Sequence, residues 1–142
     1  MSAEMRQAIV TEALSWLGTP FHHSARIKGV GVDCAMLLAE VFERVGMVAH
    51  MDVANYPFDW HMHQKEQRFS AMVTHYAHPI SVDRVLPGDV VLFQFGQCAS
   101  HGAIVIAWPS IVHAWMPAGR VVRGNALDGR LANRIYGTYS AF

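Results

Sequence analysis

The residues best able to do chemistry in this chain meet at one junction. Gly29-Val30-Gly31-Val32-Asp33-Cys34 runs into Ala35-Met36-Leu37-Leu38-Ala39-Glu40-Val41-Phe42, and Leu37, Leu38, Val41, Phe42 and Val45 recur at the three-and-four spacing of a buried helical face. The pattern predicts a helix that opens at Cys34, with Asp33 as its N-cap. A thiol attacks as its thiolate, and the partial positive charge of a helix N-terminus lowers a thiol pKa, so a depressed value is expected for Cys34. Taken alone, the same cysteine reads equally as a small buried residue. The distinction rests on whether the chain also supplies a base.

Nine histidines offer candidates. His61 and His63 alternate, and His75 and His78 stand about one helical turn apart, spacings that metal sites use. No cysteine pair or His-Glu-x-x-His motif accompanies them, so no metal is expected and these histidines read as surface residues. His101 and His113 differ, because each borders or lies in a β-prone run and the even separation puts both on one face of a hairpin. A loop centred near Ala107 sets them directly opposite each other, Cβ atoms about 5 Å apart. A nucleophilic thiol needs a base to take its proton and a third group to orient that base. Cys34, His101 and His113 fill those roles in order. Cys98, three residues before His101, lacks a helix N-terminus and is expected to be an ordinary thiol.

The elements that must hold these groups follow from periodicity and punctuation. Met5, Ile9, Ala13 and Leu14, with Trp16 and Leu17, mark a first helix that Gly18-Thr19-Pro20 stops. His22, His23, Ser24, Arg26 and Lys28 make a polar loop leading to the Cys34 helix, which Gly46 ends near Val45. Met47 to Trp60 is irregular, and Gln64 to Ala77 reads as a third helix with Phe69, Met72, Val73 and Tyr76 on one face. After the turn Leu86-Pro87-Gly88-Asp89 come β-prone runs at Val90–Phe93, Ala103–Ile106, Ile111–Ala114, Arg120–Val122 and Ile135–Tyr139. Helices first and strands after is an α+β pattern, with N-terminal helices packed on a C-terminal antiparallel sheet.

At 142 residues and 52% hydrophobic, the chain is expected to be one globular domain over residues 1–142. Eleven Lys plus Arg balance eleven Asp plus Glu, with a pI of 7.1, so neither nucleic acid nor an anionic membrane surface is an expected partner. No apolar run is long enough to span a membrane. Glu4, Arg6, Gln7 and Glu12 interrupt the first seventeen residues, so cytoplasmic synthesis without a signal peptide is expected, with Cys34 and Cys98 as free thiols.

Read together, five segments resemble the NlpC-type cell-wall cysteine peptidases, a papain-like family. They are Trp16-Leu17-Gly18-Thr19-Pro20-Phe21, Gly31-Val32-Asp33-Cys34, Pro87-Gly88-Asp89-Val90-Val91-Leu92-Phe93, His101-Gly102-Ala103-Ile104-Val105 and Val112-His113-Ala114. Tyr56 to His63, and Gly96-Gln97-Cys98, further resemble the branch associated with tails of bacteriophages and gene transfer agents. Three positions depart from the family pattern. Ala35-Met36 replaces a common Ser-Gly, and Phe21 stands where a tyrosine usually points its hydroxyl at the cysteine.

The resemblance implies a papain-like fold and a Cys34-His101-His113 triad, with the Cys34 backbone N–H stabilising the oxyanion. It implies hydrolysis of peptidoglycan stem peptides, usually between D-γ-glutamate and the diamino acid, with no metal or cofactor. Phe21, His22, Arg26 and Asp33 are the expected substrate-binding residues. His22 is a candidate to replace the missing hydroxyl, and Arg26 and Lys28 to attract stem-peptide carboxylates. Tail proteins are expected partners, and a virion- or tail-associated product acting in the periplasm or wall is the expected location. The alternatives are a papain-like amidase or acyltransferase, or a degenerate structural tail-tip or wall-binding subunit.

Overall fold

The computed structural model describes residues 2–49 and 68–142. Among these residues the α-helices are α1 (Ser2–Leu14), α2 (Cys34–Arg44) and α3 (Arg68–Tyr76). Strands β1 (Arg26–Ile27) and β2 (Gly31–Val32) form a small hairpin ahead of α2. The main sheet comprises β3 (His78–Ile80), β4 (Val90–Phe95), β5 (Cys98–Ala107), β6 (Ser110–Trp115), β7 (Arg120–Asn125) and β8 (Ile135–Ser140). Its order is β3-β8-β4-β5-β6-β7, and every pair is antiparallel. The architecture is α+β with N-terminal helices on an antiparallel sheet, as the patterning predicts.

Alternation along the strands builds two apolar layers. Val90 and Leu92 of β4, Ile104 of β5 and Val112 and Ala114 of β6 pack with Ile9, Trp16, Leu37, Val41 and Phe69 from the helical side. Val91, Phe93, Ala103, Val105 and Ile111 face the other way, where Ala126 and Leu131 cover them. Helix α1 ends three residues earlier than the pattern suggests. Trp16 is nevertheless fully buried, its indole N–H donating to Glu12 Oε2 at 2.9 Å, whereas Leu17 stays exposed. Gly18 then takes a positive φ of 87°, as expected of a stop residue.

The rest of the Gly18-Thr19-Pro20-Phe21 segment serves as a strap. Gly18 N–H donates to Val121 O, Val121 N–H to Thr19 O, Phe21 N–H to Gly119 O and Val32 N–H to Pro20 O, all at 2.8–3.0 Å. These bonds stitch the segment between β7 and β2, which fixes where Phe21 points. The loop of sequence-based expectation is thus partly a hairpin, turned at Gly29 with φ 81° and closed by Gly29 N–H donating to Thr19 Oγ1 at 3.0 Å.

The β5–β6 hairpin differs from expectation in register. Ile104 pairs with Val112 and Val105 with Ile111, so the turn falls at Trp108-Pro109 and not at Ala107. A bulge between Val105 and Ala107 accompanies it. Continuing this register places Trp115 level with His101, and His113 one diagonal step away on the same face. The predicted third helix is described from Arg68 onward, and its expected start at Gln64 lies outside the described residues, as do His61, His63 and Tyr56 to His63 as a whole. Strand β3, absent from the sequence reading, takes His78 out of any helical pairing with His75 and lies at the sheet edge, where Pro79 is tolerated.

Candidate active site

The N-terminus of α2 abuts the sheet where β4 and β6 end and β5 begins. Asp33 caps the helix: Met36 N–H donates to its Oδ1 at 2.9 Å, and Ser24 N–H donates to Oδ2 at 2.7 Å. This leaves the Cys34 and Ala35 N–H groups at the first helical positions directed at the Cys34 sulfur. The departures Ala35 and Met36 are both buried, Met36 completely, so the positions that usually carry Ser-Gly are filled here with core side chains.

A cleft of about 310 Å³ opens over Cys34. Phe21, His23 and Asp33 line one side with Cys34, and Ser100 and His101 come from β5. Phe95, Trp115, Met116 and Pro117 make an apolar wall, and Arg130 reaches in from the β7–β8 connection. The thiol donates to Ser100 O at 3.7 Å.

His101 Nε2 and His113 Nδ1 are 2.8 Å apart. In the tautomer that leaves His101 Nδ1 able to accept a proton, His101 Nε2–H donates to His113 Nδ1, so His113 holds the ring by accepting. Trp115 stacks on His113 with centroids 5.1 Å apart and an interplanar angle of 20°, and also contacts His101 at 5.1 Å. One glycine makes room for this pair and another for the helices beside it. A Cβ on Gly124 would lie 2.7 Å from His113 Nε2, and one on Gly102 would lie 3.0 Å from Leu38 Cδ1, Leu92 Cδ2 and Phe69 Cζ. Gly102 therefore lets α2 and α3 close onto β5 right beside His101.

The electrostatics correct one expectation. Burial pushes the Cys34 thiol up to about 12, Asp33 adding to the rise, although the N–H groups of Gly102, Ala35 and Cys34 pull the other way. Burial likewise lowers His101 well below the usual histidine value, with His113 contributing, and brings His113 to about 4. These shifts favour a thiol and two neutral imidazoles over a preformed thiolate in the free protein. The helix terminus is present, but desolvation outweighs it.

Of the four expected substrate residues, Phe21 and Asp33 line the cleft. His22 does not: it is exposed outside the cleft, its Cβ and ring sitting where a Cβ on Gly31 would clash, at 2.9 and 3.4 Å. His23 occupies the cleft instead, its Nδ1 3.6 Å from Asp33 Oδ2. Ser24, next in the chain, takes a positive φ of 64°. Arg26 is also displaced, bound by Glu40 at 2.6 Å and Glu43 at 3.0 Å on α2, and Lys28 is held by Glu12 at 2.7 Å. Neither cation is offered to the cleft. Trp115 and Arg130 were missed because neither belongs to a motif, and only the fold brings them to Cys34.

Among curated proteins, none matches the sequence significantly. Solved structures do. The NlpC/p60 domain of the peptidoglycan hydrolase SagA is 21% identical, with a TM-score of 0.65 over 95% of this chain and 97% of that one. An NLP/P60 family protein similar to lipoprotein from Staphylococcus aureus is 20% identical with a TM-score of 0.71, and this chain, 97% covered, spans only 41% of it. RipD from Mycobacterium tuberculosis, described as a non-catalytic NlpC/p60 domain protein adapted to peptidoglycan binding, is 12% identical with a TM-score of 0.64 over 95% of both chains. Those likenesses carry the fold, and the sequence itself carries the family: its model matches residues 18–138, from the strap ahead of Phe21 to the last strand, and the chain belongs to the NlpC/P60 family.

Proposed function

We infer that this protein is a cysteine endopeptidase that cleaves the stem peptides of peptidoglycan, at the bond between D-γ-glutamate and the diamino acid. The observation that supports the reading is the joining, in one cleft, of a thiol at a helix N-terminus and a histidine whose far nitrogen is bonded to a second histidine. In the reaction His101 Nδ1 takes the Sγ proton as sulfur attacks the carbonyl carbon. The resulting oxyanion accepts from the Cys34 N–H, and His101 passes the proton to the leaving amine as the C–N bond breaks. Water then hydrolyses the thioester, with His101 as base. Because both partners are neutral at rest, proton transfer accompanies attack and does not precede it.

Incubation with purified muropeptides, with product masses determined, tests activity and bond together. Cleavage at the γ-glutamyl bond by the parent protein and none by Cys34→Ala is expected. Products from another bond would favour the amidase or acyltransferase alternative. A second reading, a non-catalytic wall-binding or tail-tip subunit, draws on Phe21, which brings no hydroxyl to the thiol, and on the likeness to RipD. It predicts muropeptide binding with no products. Carriage on a phage-like tail rests on the resemblance of the Tyr56–His63 and Gly96–Cys98 segments, and detection of the protein in purified particles tests it.

A further inference from the structure

We propose that Arg130 is the substrate-recognition residue that binds the free carboxylate beside the scissile bond, making the enzyme selective for stem peptides whose γ-linked glutamate is not amidated. This rests on the peptidase reading for the substrate's identity, and on the cleft alone for the binding site. Among the described residues Arg130 is the one Lys or Arg lining the cleft, and it makes no ion pair with any described residue. The cations expected to serve, Arg26 and Lys28, are consumed by Glu40, Glu43 and Glu12. Asp33, the one carboxylate in the described lining, has its oxygens engaged by the Ser24 and Met36 N–H groups. Asp128, two residues before Arg130, does not line the cleft.

The neighbours strengthen the argument. Phe95, Trp115, Met116 and Pro117 form an apolar wall that offers a carboxylate no charged side chain, so the guanidinium fork is the group that meets it. A carboxamide of the same shape offers no charge. Arg130 is exposed and sits on a short 3-10 turn, so its replacement leaves the core undisturbed.

The test uses two peptides identical except that the α-carboxyl of the γ-linked glutamate is free in one and a carboxamide in the other. Binding to the Cys34→Ala protein, which does not consume them, is measured by calorimetry. The free acid is expected to bind about tenfold tighter at low salt, the gap shrinking between about 0.05 and 0.5 M salt. Adding Arg130→Gln should make the two peptides bind alike, and Arg130→Lys should restore part of the preference. A preference that survives Arg130→Gln, no preference in the first place, or no binding of either peptide overturns the proposal. Hydrolysis by the parent protein is read separately. Discrimination in binding without cleavage removes the peptidase reading and leaves the carboxylate site standing, whereas cleavage without discrimination does the reverse.

Discussion

At Cys34 a helix terminus and burial of the thiol act on one sulfur in opposite directions, and burial prevails. Alkylation of Cys34 by iodoacetamide should therefore show no thiolate plateau at mildly acidic pH and should keep rising as pH increases above neutrality. A plateau below pH 6 would mean a preformed ion pair. The two histidines carry different demands. In the proposed reaction His101 exchanges protons, so His101→Gln or His101→Ala should lower kcat/KM on a muropeptide by several orders of magnitude. His113 only accepts one hydrogen bond from the neighbouring ring, which an amide oxygen also does. His113→Asn or His113→Gln should retain far more activity than His113→Ala, with folding checked by circular dichroism. The opposite ordering would reverse the two roles.

At the scale of elements, the site depends on strands that bring no reactive group. Strand β7 contributes Gly124, whose missing side chain is the space His113 occupies. Stacking on Trp115 and the bond to His101 keep that ring from swinging aside, so Gly124→Ala must shift the imidazole pair. We expect Gly124→Ala to reduce kcat by about tenfold or more while leaving the far-ultraviolet spectrum unchanged, since losses of this size follow small misplacements of catalytic groups. Full activity in that variant would show that the pair tolerates displacement. Helix α2 is held differently, by Asp33 at its cap and by Ala35, Met36, Leu37, Leu38, Ala39, Val41 and Phe42 buried along it.

Across the whole molecule, α1 is tied to the sheet by Arg6. Its guanidinium donates to Asp89 Oδ1 at 2.8 Å and to Pro87 O at 3.0 Å, and lies 4.2 Å from the centroid of the Phe142 ring. Asp89 is only 1% exposed, so Arg6→Ala leaves a buried carboxylate without its cation and should cost roughly 2–3 kcal/mol in urea denaturation. The buried histidines give the fold an acid limit. Their values fall on folding, so the unfolded chain binds more protons, and stability is lost as pH drops from about 6.5 towards 4. For His113 alone this is worth up to about 3 kcal/mol. The melting temperature should fall across that window, and less steeply in His113→Gln.

What the sequence determined by itself is what local physics encodes: the α2 periodicity, its Asp33 cap, the β-prone runs and the even spacing that puts His101 and His113 on one face. Each follows from interactions a few residues apart, and together with the motif resemblance they sufficed for the fold class and the family. The tertiary structure decided everything that depends on distance through space. It moved the hairpin turn to Trp108-Pro109, so the imidazoles meet diagonally with Trp115 beside them. It gave Arg26 and Lys28 to glutamates, because α2 and α1 pack against the loop that carries them. It put His23 and not His22 into the cleft, and it brought Arg130 from ninety-six residues away to the Cys34 cleft. The thiol's resting state belongs to the same class, since a helix N-terminus is written in the sequence, whereas desolvation is set by whatever the rest of the chain lays over it.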